Sequence, residues 1–375
     1  MLHLNLPAPT DDSWMIFWRK ARWVLLGVLA PEVLMLIACG QWSSAHRSVL
    51  QMRGMGFDKT QWSLTHAFFA DSGGIVFQLQ HGDYIPLSAK QLAWLIAQGY
   101  TKLPEIKEKD ISDKSKAGMC TKALAFCQTT WFLVRLIARA IENLPVTPLE
   151  LASAALALTS LTTLSFWVRK PMDVQQPFII KASRSSLTVT ESELDGFSDI
   201  CVNVATLEEV EPRVYISRKW SRRVLAFICQ MGFQKQCMDR IPNDRDPQLL
   251  GFCQHATLGI TTAAFAFIHF ADWHFDFATD AEVIIWRINC CIMWVLLATY
   301  GTAEVIICSR EKYQNLGLDT AGGYKLKWPT CLWFFIPAIT YFCARLVLIV
   351  GVFVNLRSLP ERAYLEVQWP DIGYL

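Results

Sequence analysis

Long apolar runs separated by polar stretches form the main pattern along this chain. A transmembrane helix needs roughly 20 apolar residues to cross about 30 Å of hydrocarbon, and most of the runs reach that length. The pattern therefore predicts an all-α fold, a multi-pass transmembrane helical bundle of about seven helices. The predicted spans lie at about 23–42, 62–79, 120–141, 148–168, 249–270, 283–308 and 329–354.

The distribution of basic residues predicts which loops face the cytoplasm. The polar loops 80–119 and 169–248 are rich in Lys and Arg, whereas the connections 142–147 and 271–282 contain neither residue. The positive-inside rule therefore places the 80–119 and 169–248 loops in the cytoplasm. Basic residues before the first span favour a cytoplasmic N-terminus as well, which requires 62–79 to cross the membrane. If that short segment is re-entrant instead, six spans remain.

The 62–79 segment carries the first candidate for chemistry. It places His66 and Asp71 among aromatic residues, and a Gly73-Gly74 pair follows one residue after Asp71. In a continuous helix the two polar side chains would lie roughly 140° apart, so they need not share a face. The glycine pair is a natural place for a helix to loosen. An acid inside a membrane is usually functional, and the alternative is that Asp71 caps or pairs within the bundle.

Glu32 is a second candidate site residue. It directly follows Pro31 near the middle of the first predicted span. Proline removes a hydrogen-bond donor and kinks a helix. An acidic side chain at that depth must find a partner or stay protonated.

Histidines and carboxylates are also concentrated between the fifth and sixth predicted spans. Such ligands suit several divalent ions, but their spacing matches no recognised metal motif, and an interfacial loop is normally polar. We therefore predict no metal site. His269 and Asp272 remain candidates for acid–base chemistry. The histidines and carboxylates considered as metal ligands are His269, Asp272, His274 and Asp276.

Composition narrows the class of protein. The 375 residues are 53% hydrophobic and 18% charged, against about 25% charged in a typical soluble domain. The formal net charge of +2 and the lack of a nucleic-acid motif exclude nucleic acid as a partner. No phosphate-binding loop or serine-hydrolase motif occurs, so the sequence predicts no cofactor. Most of the 12 cysteines lie in apolar segments, where they behave as small hydrophobic residues.

A series of short stretches forms a recognisable pattern, in this order along the chain. The stretches are His66-Ala-Phe-Phe-Ala-Asp-x-Gly-Gly74, Asp113-Lys-Ser-Lys116, Leu144-Pro-x-Thr-x-Leu-Glu150, Lys170-Pro-x-Asp-Val174, Ile268-His269 with Trp273, Glu282-x-x-x-Trp-Arg287 and Leu356-Arg-Ser-Leu-Pro360. Together they resemble a large fungal family of multi-pass membrane proteins. The resemblance covers nearly the whole chain, although Ser72 stands where methionine is usual and His274 where asparagine is usual.

The resemblance implies a function, because some similar proteins are regarded as membrane-bound terpene cyclases of meroterpenoid pathways. We therefore expect an isomerase- or lyase-type cyclase of fungal secondary metabolism, without a dissociable cofactor. Its substrate would be a farnesyl-type prenylated aromatic or the corresponding epoxide, reached through the lipid bilayer. The endoplasmic reticulum or another endomembrane is the expected location.

The residues alone are compatible with this chemistry. A buried acid protonates an alkene or epoxide, and aromatic ring faces stabilise the resulting cation. We assign Asp71 as the proton donor and His66 as its orienting or proton-returning partner. Glu32, His269 and Asp272 are weaker candidates.

Two other functions remain open from the sequence. A transporter would use Asp71, Arg135 and Glu32 as a proton or solute path, and helices broken near the midplane would support it. The absence of internal sequence symmetry counts against it. A seven-helix receptor or scaffold would signal through the basic loops, with 169–248 as its output surface.

Overall fold

Ten α-helices and a three-stranded sheet make up the part of the chain that this computed structural model describes. The described residues are 3–7, 9–78, 84–97, 99, 101–115, 119–174, 176–181, 241, 252–275, 277–314 and 328–367. The helices are α1 (Ser13–Leu29), α2 (Pro31–Gly54), α3 (Leu64–Asp71), α4 (Ala89–Ala97), α5 (Glu108–Lys114), α6 (Met119–Ile141), α7 (Pro148–Trp167), α8 (Phe252–Ile268), α9 (Asp280–Gln314) and α10 (Trp328–Asn355).

Helix α7 lies at the centre of the bundle. It begins with a capping box, in which Thr147 accepts from the backbone N–H of Glu150 and the Glu150 carboxylate accepts from Thr147. Its buried face carries small residues, among them Ala154 and Ala155. Small residues let helices approach closely inside a membrane. Helix α7 accordingly packs against α2, α6, α8 and α10.

Four helices in the described part of the chain are long and apolar enough to cross a membrane. They are α6, α7, the first part of α9 (Asp280–Thr299) and the later part of α10 together with the 3₁₀ turn that follows it (Ile336–Ser358). Large apolar side chains on α6 face outward, and Trp131 is 57% exposed. Apolar exposure on this scale suits a lipid environment. These helices are consistent with a multi-pass integral membrane protein, while the prediction of seven spans is not confirmed.

The first predicted span, 23–42, is two helices rather than one. Helix α1 ends at Leu29 and α2 begins at Pro31, with a bend of 113° between them. Pro31 has no N–H to donate back into α1, and its fixed φ suits the first position of a new helix. The predicted kink is therefore a complete break, and the pair counts as at most one bent span.

The prediction of a helical span at 62–79 is wrong. Helix α3 covers only Leu64–Asp71, and strand β1 (Ile75–Gln78) follows a turn at Gly73, whose φ is +83°. Strand β1 pairs in parallel with β3 (Phe178–Lys181) and antiparallel with β2 (Tyr84–Pro86). The fold is therefore mostly helical rather than all-α.

The apolar residues of this segment are buried by protein. Phe68, Phe69 and Ile75 are at most 1% exposed, within a core that also contains side chains of α2, α4 and α5. A core of this kind and a lipid-facing surface require the same apolar side chains. This equivalence explains why the sequence pattern resembled a membrane span.

The remaining predicted spans correspond to helices. The 120–141 and 148–168 spans match α6 and α7, and the last three match α8, α9 and α10, with shifted ends. The 80–119 loop contains β2, α4 and α5, whereas 169–248 lies largely outside the described residues apart from β3. The cytoplasmic placement of both loops stays a prediction.

We predict that Gly74→Ala destabilises the protein by about 1–3 kcal/mol, because a Cβ at Gly74 would overlap the Phe69 ring. Gly259→Ala is the matched control, since a Cβ there has no neighbour within 4 Å. The measurement is thermal unfolding of both variants in detergent. Equal unfolding temperatures for the two variants would contradict this packing.

Candidate functional site

Three of the predicted site residues, Glu32, His269 and Asp71, belong to two separate polar clusters. The bundle cluster consists of Glu32, His269, Tyr341 and Arg345, contributed by α2, α10 and the end of α8. The lysine cluster consists of Asn5, Gln41, Ser44, Asp71 and Lys170. Helix α2 contributes to both clusters, and about 18 Å of helix separates Glu32 from Ser44.

Arg345 is the centre of the bundle cluster. Its side chain is 1% exposed, although it lies on an apolar helix. Nη1 lies 2.9 Å from His269 Nε2, Nη2 donates to the Val28 carbonyl at 3.5 Å, and the guanidinium lies 4.9 Å from the Phe265 ring centroid. The arginine therefore joins α10 to the end of α1 and to the residue after α8.

The partners of His269 define its role. Its Nδ1 lies 2.9 Å from the Phe265 carbonyl, which can only accept, so Nδ1 carries the hydrogen. Nε2 is then the acceptor for Arg345. Both ring nitrogens are occupied, so His269 positions the arginine rather than exchanging protons with a ligand.

Glu32 is the acid of this cluster. It lies beside Tyr341 and Arg345. The Tyr341 hydroxyl is the hydrogen-bonding neighbour of this carboxyl, whereas Glu32 Oε2 is buried and makes no close hydrogen bond with the described residues. The surrounding core is apolar and aromatic, with Trp286 at 3% exposure and Phe265 fully buried. The arrangement presents a carboxyl oxygen and a phenol to an apolar interior.

Lys170 is the centre of the lysine cluster. Its Nζ donates to the His3 carbonyl at 2.7 Å, to Gln41 Oε1 at 2.8 Å and to Asn5 Oδ1 at 3.0 Å. An ammonium has three donors, so all of them are used. These bonds attach residues 3–5 and the end of α7 to α2. The role shown by this geometry is structural.

Asp71 is held by donors as well. Oδ2 accepts from the Ser44 hydroxyl and Oδ1 from the backbone N–H of Ala89, each at 2.9 Å. The N-terminus of a helix, here α4, favours a negative charge, and so does the charge of Lys170 nearby. This environment favours a fixed carboxylate and corresponds to the capping alternative considered from the sequence.

His66 is part of the capping box at the start of α3. Its Nδ1 accepts from the Ser63 backbone N–H at 3.2 Å, and its Nε2 lies 2.7 Å from the Ile106 carbonyl. Both ring nitrogens therefore contact groups other than Asp71. The structure gives the two residues separate capping roles instead of joining them as an acid and its partner.

The structure describes only part of the segment that contains Asp272 and the residues considered as metal ligands. Asp272 belongs to a 3₁₀ turn, Ala271–His274, and its side chain is not among those described. The described side chains contain no group of three or more His, Cys, Asp or Glu that could hold a metal ion. Because His274 and Asp276 are also outside that set, the prediction of no metal stays a prediction.

Sequence reasoning missed Tyr341, Arg345 and Lys170 as members of these clusters. Arg345 gave a usable signal, since a charged residue inside an apolar span marks a polar interior site. The signal of Lys170 was weaker because it lies at the end of a span, where a lysine normally reaches solvent.

Comparison with known proteins gives a family but no activity. Residues 1–213 match the model of a family of unknown function (DUF8562). The chain belongs to this family. The matched region contains Glu32, His66, Asp71 and Lys170, but not His269 or the residues of α10. No curated protein and no solved structure matches the chain.

We predict that Lys170 makes stability depend on pH above 7. Burial lowers the pKa of Lys170 to about 7, as does the charge of Lys122, while Asp71 opposes the shift. Between about pH 7 and 10.5 the unfolded chain holds the extra proton, so stability rises with pH by at most about 1.4 kcal/mol per unit.

The measurement is unfolding free energy against pH for the wild type and for Lys170→Met. The difference between the two should change across this window, whereas the exposed control Lys59→Met should run parallel to the wild type. A constant difference from pH 7 to 10 would contradict the assignment.

Proposed function

We propose that this protein is an integral-membrane terpene cyclase of fungal secondary metabolism. It acts on a farnesyl-type prenylated aromatic, or on its terminal epoxide, by acid-initiated carbocation cyclisation. The observation that carries the proposal is the carboxyl of Glu32, whose buried Oε2 makes no close hydrogen bond with the described residues and lies beside an apolar, aromatic core. A general acid needs such an available oxygen beside the substrate.

The proposed cyclisation requires neither an oxidant nor a cofactor. The Glu32 carboxyl transfers its proton to the terminal alkene carbon or epoxide oxygen, and a tertiary carbocation forms. The next alkene attacks this cation, so each new C–C bond passes the positive charge along the chain. The last cation loses a proton to solvent, which gives a cyclised isomer of the substrate, and Glu32 takes up a proton from solvent before the next turnover. The faces of Trp286 and Phe265 can stabilise the intermediates.

The geometry favours Glu32 over Asp71 as the acid. Asp71 accepts hydrogen bonds from the Ser44 hydroxyl and the Ala89 backbone N–H, one at each oxygen, and both bonds stabilise a carboxylate instead of a proton donor. Arg345 lies near Glu32 and can stabilise the carboxylate that remains after proton transfer. His269 keeps that arginine in place.

The bundle also suits the substrate. A prenylated aromatic dissolves in the bilayer, so a site between membrane helices receives it without passage through water. A dry site protects the cation from hydrolysis before ring closure. The bundle cluster meets this condition because Arg345 and His269 are at most 2% exposed.

Proton or solute transport is the second candidate, and the break between α1 and α2 favours it. Discontinuous helices mark the binding sites of many transporters, and Glu32 lies directly after this break. The predicted path through Arg135 is not supported, since Arg135 is half-exposed and lies 3.8 Å from Glu366. The output loop of a receptor, 169–248, lies largely outside the described residues.

We predict that Glu32→Gln lowers cyclisation by at least about 100-fold, because general acid catalysis contributes roughly 10²- to 10⁴-fold. Membranes of a heterologous fungal host expressing the chain would be fed a farnesylated phenol and its terminal epoxide. Product mass and ring count are read by chromatography and NMR, and wild-type membranes should yield a cyclised isomer absent from empty-vector membranes.

Asp71→Asn identifies which acid supplies the proton. Turnover lost in Asp71→Asn but kept in Glu32→Gln, at equal amounts of folded protein, would return the role to Asp71. No cyclised product from any of these substrates, with the wild-type protein present in the membrane, would refute the cyclase proposal. Proton flux into proteoliposomes that disappears in Glu32→Gln would then support transport.

A further inference from the structure

One end of the bundle contains buried polar atoms that have no partner among the described residues. They belong to a group that we call the rim cluster, made of Glu282, Trp286, Asn355 and Ser358. The unpartnered atoms are Glu282 Oε2, Trp286 Nε1, Asn355 Nδ2, Asn355 Oδ1 and Ser358 Oγ. Two of the stretches quoted for the fungal resemblance, which begin at Glu282 and at Leu356, therefore contribute to one place.

Two contacts fix how α9 and α10 bring the rim cluster together. Arg357 donates to the carboxylate of Glu282. One turn further along α9, the Trp286 ring lies against Gly351, where an added Cβ would be 3.6 Å from Cε3. Asn355 lies between Gly351 and Arg357 on its own chain, so it lies between these two contacts.

Asn355 is the residue that most needs a partner. It is 1% exposed, and neither its amide nitrogen nor its amide oxygen makes a hydrogen bond in the described structure. Leaving such a group unpaired is unfavourable, and native proteins rarely do so without a ligand, a water or a function. The indole N–H of Trp286 donates, and the free oxygen of Glu282 accepts. A ligand bearing both a hydroxyl and a carbonyl matches this set.

A buried stripe on α10 connects the rim cluster to the bundle cluster. Tyr341, Arg345, Leu348, Val352 and Asn355 follow each other at spacings of three and four, and each is at most 8% exposed. This spacing places them on one helix face. About 15 Å of helix separates Arg345 from Asn355, and the residues between them on this face are apolar.

We propose that the rim cluster binds the oxygenated aromatic head of the substrate, through its hydroxyl and carbonyl groups. The prenyl chain then lies along Leu348 and Val352, and its far end reaches Glu32. That the ligand carries a prenyl chain rests on the proposed cyclase function, but binding of its head group can be measured without turnover.

The experiment measures binding to the full-length protein in lipid nanodiscs. The probes are a tritiated farnesylated phenol with an acetyl group beside the hydroxyl, and the same molecule with neither oxygen group. The wild type should bind the oxygenated probe at least about tenfold more tightly, and Asn355→Leu should lose this preference. Asn289→Leu is the matched control, because its amide already donates to the Ile285 carbonyl at 2.7 Å.

A second readout separates a binding role from a structural one. Without probe, Asn355→Leu should unfold at or above the wild-type temperature, because the substitution removes an unpartnered buried amide. The oxygenated probe should raise the unfolding temperature of the wild type and leave that of Asn355→Leu unchanged. A lower unfolding temperature for the empty variant would mean that Asn355 supports the fold, and would overturn the inference.

The remaining outcomes distinguish this inference from the proposed function. Cyclisation by a wild type that binds both probes equally would overturn the head-group site alone. An unchanged preference in Asn355→Leu would do the same, and would indicate that only water occupies the rim cluster. A wild type that binds neither probe and forms no cyclised product would overturn both proposals.

Discussion

The break at Pro31 is the constraint on which the rest of this structure depends. A proline cannot continue the hydrogen bonding of the preceding helix, so α2 starts anew at 113° to α1. The new direction carries Glu32 into the bundle, beside α10, and carries Gln41 and Ser44 to the lysine cluster. One helix therefore orients both polar clusters, and α7 packs against its length.

The lysine cluster differs from the bundle and rim clusters in how completely its buried polar groups are hydrogen-bonded. Lys170 uses all three of its donors, and Asp71 accepts from a hydroxyl and a helix N-terminus. In the bundle and rim clusters, by contrast, buried atoms of Glu32 and Asn355 have no close partner in the part of the chain that the structure describes. Satisfied networks make a fold rigid and specific. Local violations of that rule tend to occur at functional sites, which is why we place the chemistry in the bundle.

Membership of the matched family neither supports nor opposes the proposal that the bundle cluster is the active site. The matched family has no known function, and its model covers residues 1–213. The proposed site combines Glu32 from this region with Arg345 and His269 from beyond it. The proposed function therefore depends on contacts between the two parts of the chain, which a local sequence match cannot reveal.

The sequence by itself determined that several helices are long and apolar enough to cross a membrane, the positions of the later helices, the start of α7 and the presence of acids in apolar surroundings. These features follow from local composition, helix length and capping. Only the tertiary structure decided that 62–79 is a short helix and a strand inside a protein core, because apolar side chains suit protein and lipid equally well. It also separated Asp71 from Glu32 and joined Glu32 to Arg345, since the partners of a buried charge come from distant parts of the chain. Sequence spacing carries no information about such contacts.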